Sequence, residues 1–116
     1  MTNLQVRRLQ QVARFGEISL DFGKMQLCRS NQPVALTFQE FKVLRFLIAR
    51  PELVISRQKL LSAVWSKKER STQRTVDNHI ARLRQKIEPD PAHPVFLQTV
   101  RGVGYKFVPN TRLRGQ

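Results

Sequence analysis

The chain has 116 residues, 41% of them hydrophobic, with 21 Lys+Arg against 8 Asp+Glu and a formal net charge of +13. That length and apolar content allow one domain with a real core and would strain to make two. The charge implies a polyanionic partner without choosing among nucleic acid, anionic membrane and heparin-like polymer. No apolar run approaches the ~20 residues that span a bilayer, and the N-terminus lacks the apolar centre of a secretory signal, so a cytoplasmic chain is expected.

Residues 1–12, with Arg7, Arg8 and several glutamines, read as a flexible basic arm or linker remnant ahead of a domain at 13–110, and 111–116 read as a basic tail. From Ala13 to Leu36, the alternating runs Phe15–Phe22 and Met25–Cys28 are broken by Gly23-Lys24 and by Ser30-Asn31-Gln32-Pro33, the pattern of a small antiparallel sheet, expected to have four strands. The single cysteine, Cys28, forms no internal disulfide and, with two distant histidines, no zinc site; it reads as a small core residue.

Thr37-Phe38-Gln39-Glu40 is a capping box, so a helix is predicted to start there. Phe41, Leu44, Leu47 and Ile48 follow at helical spacing, and Pro51 stops the helix because the residue before a proline avoids the α region. A second helix is predicted after Ser56, a suitable N-cap, carrying Leu60, Leu61, Val64 and Trp65. A polar loop from Ser66 to Gln73 leads to the third helix, which runs to about Glu88. Val76, Ile80, Leu83 and Ile87 recur there at steps of four, three and four, stacking on one face. The opposite face presents Arg74, Asn78, Arg82 and Gln85. Pro89–Pro94 cannot continue a helix. Val95–Val100 and Tyr105–Val108 then form a hairpin around Arg101-Gly102-Val103-Gly104, with Arg101 at its tip.

Sheet, three helices and hairpin add up to an α+β fold, a winged helix-turn-helix with an N-terminal four-stranded antiparallel sheet, a three-helix core and a C-terminal β-hairpin wing. The polar face of the third helix carries the side chains that bond phosphates and base edges in a DNA major groove, whose width admits one α-helix. The leading reading is sequence-specific DNA binding. The alternatives are a non-specific nucleic-acid binder and a winged helix used for protein or RNA contacts.

Four motifs in this order, Leu36-Thr-Phe-Gln-Glu-Phe41, Leu60-Leu-Ser-Ala-Val-Trp65, Arg74-Thr-Val-Asp-Asn-His-Ile-Ala-Arg-Leu-Arg84 and Arg101-Gly-Val-Gly-Tyr105, closely resemble the effector domain of the OmpR/PhoB family of bacterial response regulators, over about Phe15 to Pro109. The resemblance implies a transcription regulator of a two-component phosphorelay. It assigns Arg82 to a base in the major groove, where a guanidinium donates two bonds to guanine O6 and N7. It assigns Arg74, Thr75, His79, Arg84 and Trp65 to phosphates, and Thr99, Gly102 and Tyr105 to wing contacts with the backbone. Arg101 is assigned to the minor groove, where it senses groove width and A·T content. Two positions depart from the family: Ala81 stands where many members have a second arginine, and Asn78 where relatives often have a small apolar residue. An amide at Asn78 is suited to adenine N6 and N7.

The same resemblance implies tandem dimers on direct repeats of DNA. It also places a possible RNA polymerase contact at the loop bearing Lys67, Lys68, Glu69 and Arg70, here basic where relatives are often acidic or apolar, so that DNA is the alternative partner of this loop. Members usually carry a phosphorylatable receiver in cis before this module, so the chain reads as a fragment or, alternatively, as a free-standing regulator. Each residue also has a plainer reading: arginines on an outer helix face are usually solvated, and His79 could be a surface histidine satisfied by water. Trp65 serves packing first, Asp77 orients basic neighbours on the flank it shares with Arg84, and Tyr105 is a packed strand residue with its hydroxyl at the surface. Catalysis is not expected: Gly102-Val103-Gly104 lacks the third glycine and precedes a strand, whereas a dinucleotide site needs it before a helix. No nucleophile–base grouping stands out, and no metal or cofactor is implied.

Overall fold

In the computed structural model, which describes residues 11–109, alternation builds the first sheet. Strands β1 (Val12–Phe15), β2 (Ile18–Asp21), β3 (Gln26–Arg29) and β4 (Gln32–Val34) pair antiparallel in sequence order. Ile18, Leu20 and Leu27 turn inward and are buried. The run Phe15–Phe22 is two strands, not one, because Gly16 takes φ +55 and turns the chain. The Phe96 ring fills the space a Cβ at Gly16 would need, 2.6 Å away, so glycine serves both the turn and the packing. Ser30 and Asn31, both at positive φ, make the two-residue turn between β3 and β4. Val12 already lies in β1; residues 1–10 of the expected arm and the tail 111–116 lie outside the described residues.

The first helix, α1 (Phe38–Ile48), starts at its capping box: Thr37 Oγ1 accepts from the Glu40 amide at 3.1 Å, and Glu40 Oε1 accepts from the Thr37 amide at 3.0 Å. It buries Phe41, Val43, Leu44 and Leu47. A short strand, β5 (Ile55–Ser56), precedes α2 (Arg57–Val64), whose N-cap Ser56 accepts from the Lys59 amide. Trp65 falls outside α2, in an extended conformation, although the periodicity predicts it within the helix. The third helix, α3 (Gln73–Ile87), buries Val76, Ile80, Leu83 and Ile87, the four residues whose spacing predicts that face. All three helices pack on one another around this core.

The hairpin of β6 (Leu97–Val100) and β7 (Gly104–Phe107) recruits β5 into a second sheet of order β5-β7-β6. That third strand has no signal in the local pattern; it requires Gly104, where a Cβ would stand 2.0 Å from the Ile55 carbonyl oxygen. Phe15 joins the two sheets, meeting Phe96 and Phe107 edge-on at 5.0 and 4.9 Å. The architecture is thus the winged helix-turn-helix, with the β6–β7 hairpin as the wing.

The C-terminal end of α3 is anchored by groups far away in the chain. Arg29 on β3 donates to the carbonyls of Gln85, Lys86 and Glu88, which the helix itself leaves unpaired. Glu88, fully buried, accepts from the amides of Val95, Phe96 and Leu97 at 2.7–3.1 Å and so starts the wing. Lys86 pairs with the buried Glu40 at 2.5 Å, linking α3 to the cap of α1. Burial opposes ionisation of Glu40, but the bonds from Lys86 and Thr37 prevail and hold its carboxyl below the ordinary 4.5.

Candidate nucleic-acid interface

Periodicity places Arg74, Asn78, Ala81, Arg82 and Gln85 on the face of α3 opposite its buried stripe, and all five are exposed. Among the described residues, neither Arg74 nor Arg82 is in an ion pair with a carboxylate; Arg57 and Lys86 are the Lys or Arg side chains so engaged. The amphipathic division of α3 therefore leaves its outward charges free. Ala81 presents only a methyl group at its exposed position.

At the start of α3, Thr75 is half-buried and its Oγ1 accepts from the Thr72 amide at 3.3 Å, while the Thr75 amide bonds the Thr72 carbonyl. One turn later His79 Nδ1 lies 2.9 Å from the Thr75 carbonyl, which makes it the protonated nitrogen and leaves Nε2 for an outside partner. The imidazole packs edge-on against Trp65, with centroids 5.0 Å apart. Trp65 is 8% exposed, so most of the indole serves the core beneath His79. The assigned phosphate residues Trp65, Thr75 and His79 thus form one contiguous corner where α2 ends and α3 begins.

Arg84 differs from Arg82 although two residues separate them. Its Nε and Nη2 donate to the Leu97 carbonyl at 2.9 and 2.7 Å, and Nη2 also donates to Thr99 Oγ1 at 2.8 Å. Burial lowers its pKa below the ordinary guanidinium value. These bonds tie α3 to β6 and bring together two residues, Arg84 and Thr99, that lie in separate motifs. At the wing tip, the Val103 amide closes a turn onto the Val100 carbonyl, with Arg101 and Gly102 at its centre. Gly102 takes φ +79, which suits glycine at the third position of such a turn. Arg101 and Val103 are exposed there, Val103 at 51%.

Tyr105 departs from expectation, whereas Asp77 does hold a basic side chain, one from another helix. Tyr105 is 4% exposed, and its hydroxyl donates to Asp77 Oδ1 at 2.6 Å and does not end in solvent. Asp77 is bonded by Arg57 Nε at 2.7 Å rather than by its helix neighbour Arg84, which is committed to β6. Burial acts to raise the Asp77 pKa, yet the bonds from Tyr105 and Arg57 hold it below the ordinary 3.8. Burial, and then Asp77, raise the Tyr105 pKa. Arg57, in the first turn of α2, thereby joins the interface. Sequence reasoning missed it, since nothing local marks it out from other surface cations.

The loop before α3 is organised by its one acid. Glu69 Oε1 accepts from the Ser66 amide at 2.6 Å and Oε2 from Gln39 Nε2 at 3.2 Å. With Glu69 so engaged, Lys67, Lys68 and Arg70 remain exposed without carboxylate partners among the described residues. Among the described residues no group of three His, Cys, Asp or Glu side chains gathers to hold a metal, and no helix is long and apolar enough to cross a membrane.

Residues 31–107 match the family described as transcriptional regulatory protein, C terminal. The phosphate regulon transcriptional regulatory protein PhoB of Escherichia coli (strain K12) is 37% identical over 107 residues, covering 92% of this chain and 46% of that protein. Among solved structures, the response regulator DrrB of Thermotoga maritima, an OmpR/PhoB homolog, superposes with TM-score 0.79 at 29% identity, over 91% of this chain and 52% of that one. The RstA DNA-binding domain of Klebsiella pneumoniae, in complex with the RstA box, matches with TM-score 0.75 at 29% identity, over 86% of this chain and 99% of that one. The chain therefore spans about half the length of the full-length relative PhoB.

Proposed function

Because the chain belongs to the OmpR/PhoB family of response regulators, as the C-terminal DNA-binding domain of such a regulator, we propose that it binds double-stranded DNA at a preferred sequence, with α3 in the major groove and the wing at the minor groove. The observation that carries this reading is a cationic face without carboxylate partners among the described residues: Arg74 and Arg82 on a helix anchored at its C-terminal end, with Arg101 at the tip of a hairpin bonded to the same helix.

In this reading Arg82 donates to guanine and Asn78 pairs with adenine, while Ala81 leaves one contact of its relatives unmade. Arg74, Thr75, Trp65 and the free Nε2 of His79 hold phosphates on one side of the groove. Thr99, Gly102 and Tyr105 approach the backbone on the wing side. Arg84 supports that side through Thr99 and retains its charge for the phosphates. Arg101 enters a narrow, A·T-rich minor groove. Two copies sit on direct repeats about 10 to 11 base pairs apart, the spacing that keeps both on one face of B-DNA. By likeness to full-length relatives, a receiver in cis would control the pairing. The exposed Lys67, Lys68 and Arg70 suit flanking DNA phosphates, with a contact to RNA polymerase as the alternative.

Selection from a random duplex pool at near-physiological salt tests the reading. A direct repeat should be enriched and bound at least about 10³-fold more tightly than a scrambled duplex. Arg82→Ala should reduce that ratio by about 10- to 100-fold, the value of one bidentate base contact. Uniform binding to all duplexes, fading with salt at a slope of about −0.9 per phosphate neutralised, would leave only a non-specific polyanion surface.

A further inference from the structure

One polar cluster works against a polyanion interface and yet is built into it. Asp77 sits among the cations of α3 and keeps a negative charge there, because Tyr105 and Arg57 bond it in its ionised form. A carboxylate beside phosphates costs affinity. Its partners show what it offers instead. Asp77 belongs to α3, Arg57 to α2 and Tyr105 to wing strand β7, so one oxygen atom, Oδ1, receives both bonds and joins three elements. The guanidinium carbons of Arg57 and Arg84 lie 5.2 and 5.6 Å from the centre of the Tyr105 ring, within cation–π range. Arg84 continues the network to the Leu97 carbonyl and Thr99 hydroxyl on β6. Both wing strands are thereby bonded to the recognition helix through side chains, in addition to the apolar core behind them.

We infer that the Asp77–Tyr105 node is a positioning device that fixes the wing relative to α3, and so sets the number of base pairs between the major-groove element and the A·T-rich minor-groove element of one site. This rests on the DNA-binding reading above and deepens it. A wing held by packing alone could pivot a few ångströms about the hairpin base. With its two strands bonded to α3 at Asp77 and Arg84, about two turns apart, the wing has a fixed offset, and one base pair of displacement is a mismatch that the protein cannot absorb. Asp77 and Arg57 are positioning residues in this scheme. They act through the placement of α2, α3 and β7.

The test compares the selected duplex with a second one in which the A·T element is moved one base pair away from the major-groove element. For the unaltered domain, displacement should weaken binding by about tenfold. Asp77→Asn should bind both duplexes at least as tightly as the unaltered domain binds its best one, because a repulsive charge is gone, and should lose less than about threefold on displacement. Tyr105→Phe, which keeps the ring and the Asp77 charge, should show the same tolerance whatever its absolute affinity. A merely structural role would lower thermal stability and leave the displacement ratio unchanged. If both variants keep the tenfold penalty, the node does not set the offset and the inference is overturned. Failure of the unaltered domain to prefer any duplex would instead overturn the DNA-binding reading, and this inference with it.

Discussion

The two faces of α3 use the same residue types for opposite purposes. Toward the open face, Arg82 is exposed and, among the described residues, in no ion pair with a carboxylate, whereas Arg84 is folded onto the Leu97 carbonyl and Thr99. Asp77 is half-exposed and shared between two partners, whereas Glu88, one residue past the helix, is completely buried and shared among three amides. A cation is available to a ligand only where the fold has not already used its donors. The buried side bonds α3 to the wing; the exposed face retains its charge.

That contrast is broken most severely at Glu88. Glu88→Ala leaves the amides of Val95, Phe96 and Leu97 buried without acceptors and should cost about 4 kcal/mol in urea unfolding. A loss under about 1 kcal/mol would mean that water reaches those amides and that the anchor is not closed.

A smaller effect, with a pH signature, belongs to Glu40. Its folded pKa is depressed, so the stability it contributes is fully present above its ordinary 4.5 and disappears as pH falls through the lower folded value. Glu40→Gln should cost about 2 kcal/mol at pH 7, with the gap to the unaltered domain narrowing below about pH 4.5. A gap that stays constant from pH 7 to pH 3 would show that the loss is one of packing and not of the charge paired with Lys86.

The smallest stability change is expected where the functional change is large. Arg82→Ala should unfold within about 0.5 kcal/mol of the unaltered domain while its preference among duplexes declines. Destabilisation by about 2 kcal/mol would place Arg82 with Arg84 among the anchors and remove the distinction between the two faces.

Much of this was legible in the sequence because it depends on near neighbours. The spacing of Val76, Ile80, Leu83 and Ile87 determines the buried stripe of α3 by helical geometry alone, and Thr37 and Glu40 form a cap across three residues. The Gly16 turn did leave a local signal, since the step from Phe15 to Ile18 is three where alternation requires two, but a single break of that kind is easily read through. The β5 strand, two residues long, is created by its pairing with β7 and has no periodicity of its own. Arg57 and the partner of the Tyr105 hydroxyl were illegible for the same reason: Asp77 lies 20 and 28 residues away from them.

What the sequence determined by itself was a basic chain with one two-faced helix, capped elements around it and a glycine-turned hairpin after it. These follow from charge, periodicity and local hydrogen bonding, whose energies are decided within a few residues. Only the tertiary structure decided which cations remain free. Arg82 and Arg84 are the same residue on the same helix, and their difference is set by where β6 passes. The path of β6 is fixed by Glu88 binding its first amides and by Phe15, Phe96 and Phe107 packing the sheets together. A donor's availability depends on acceptors brought near by the whole chain, and no local pattern records that.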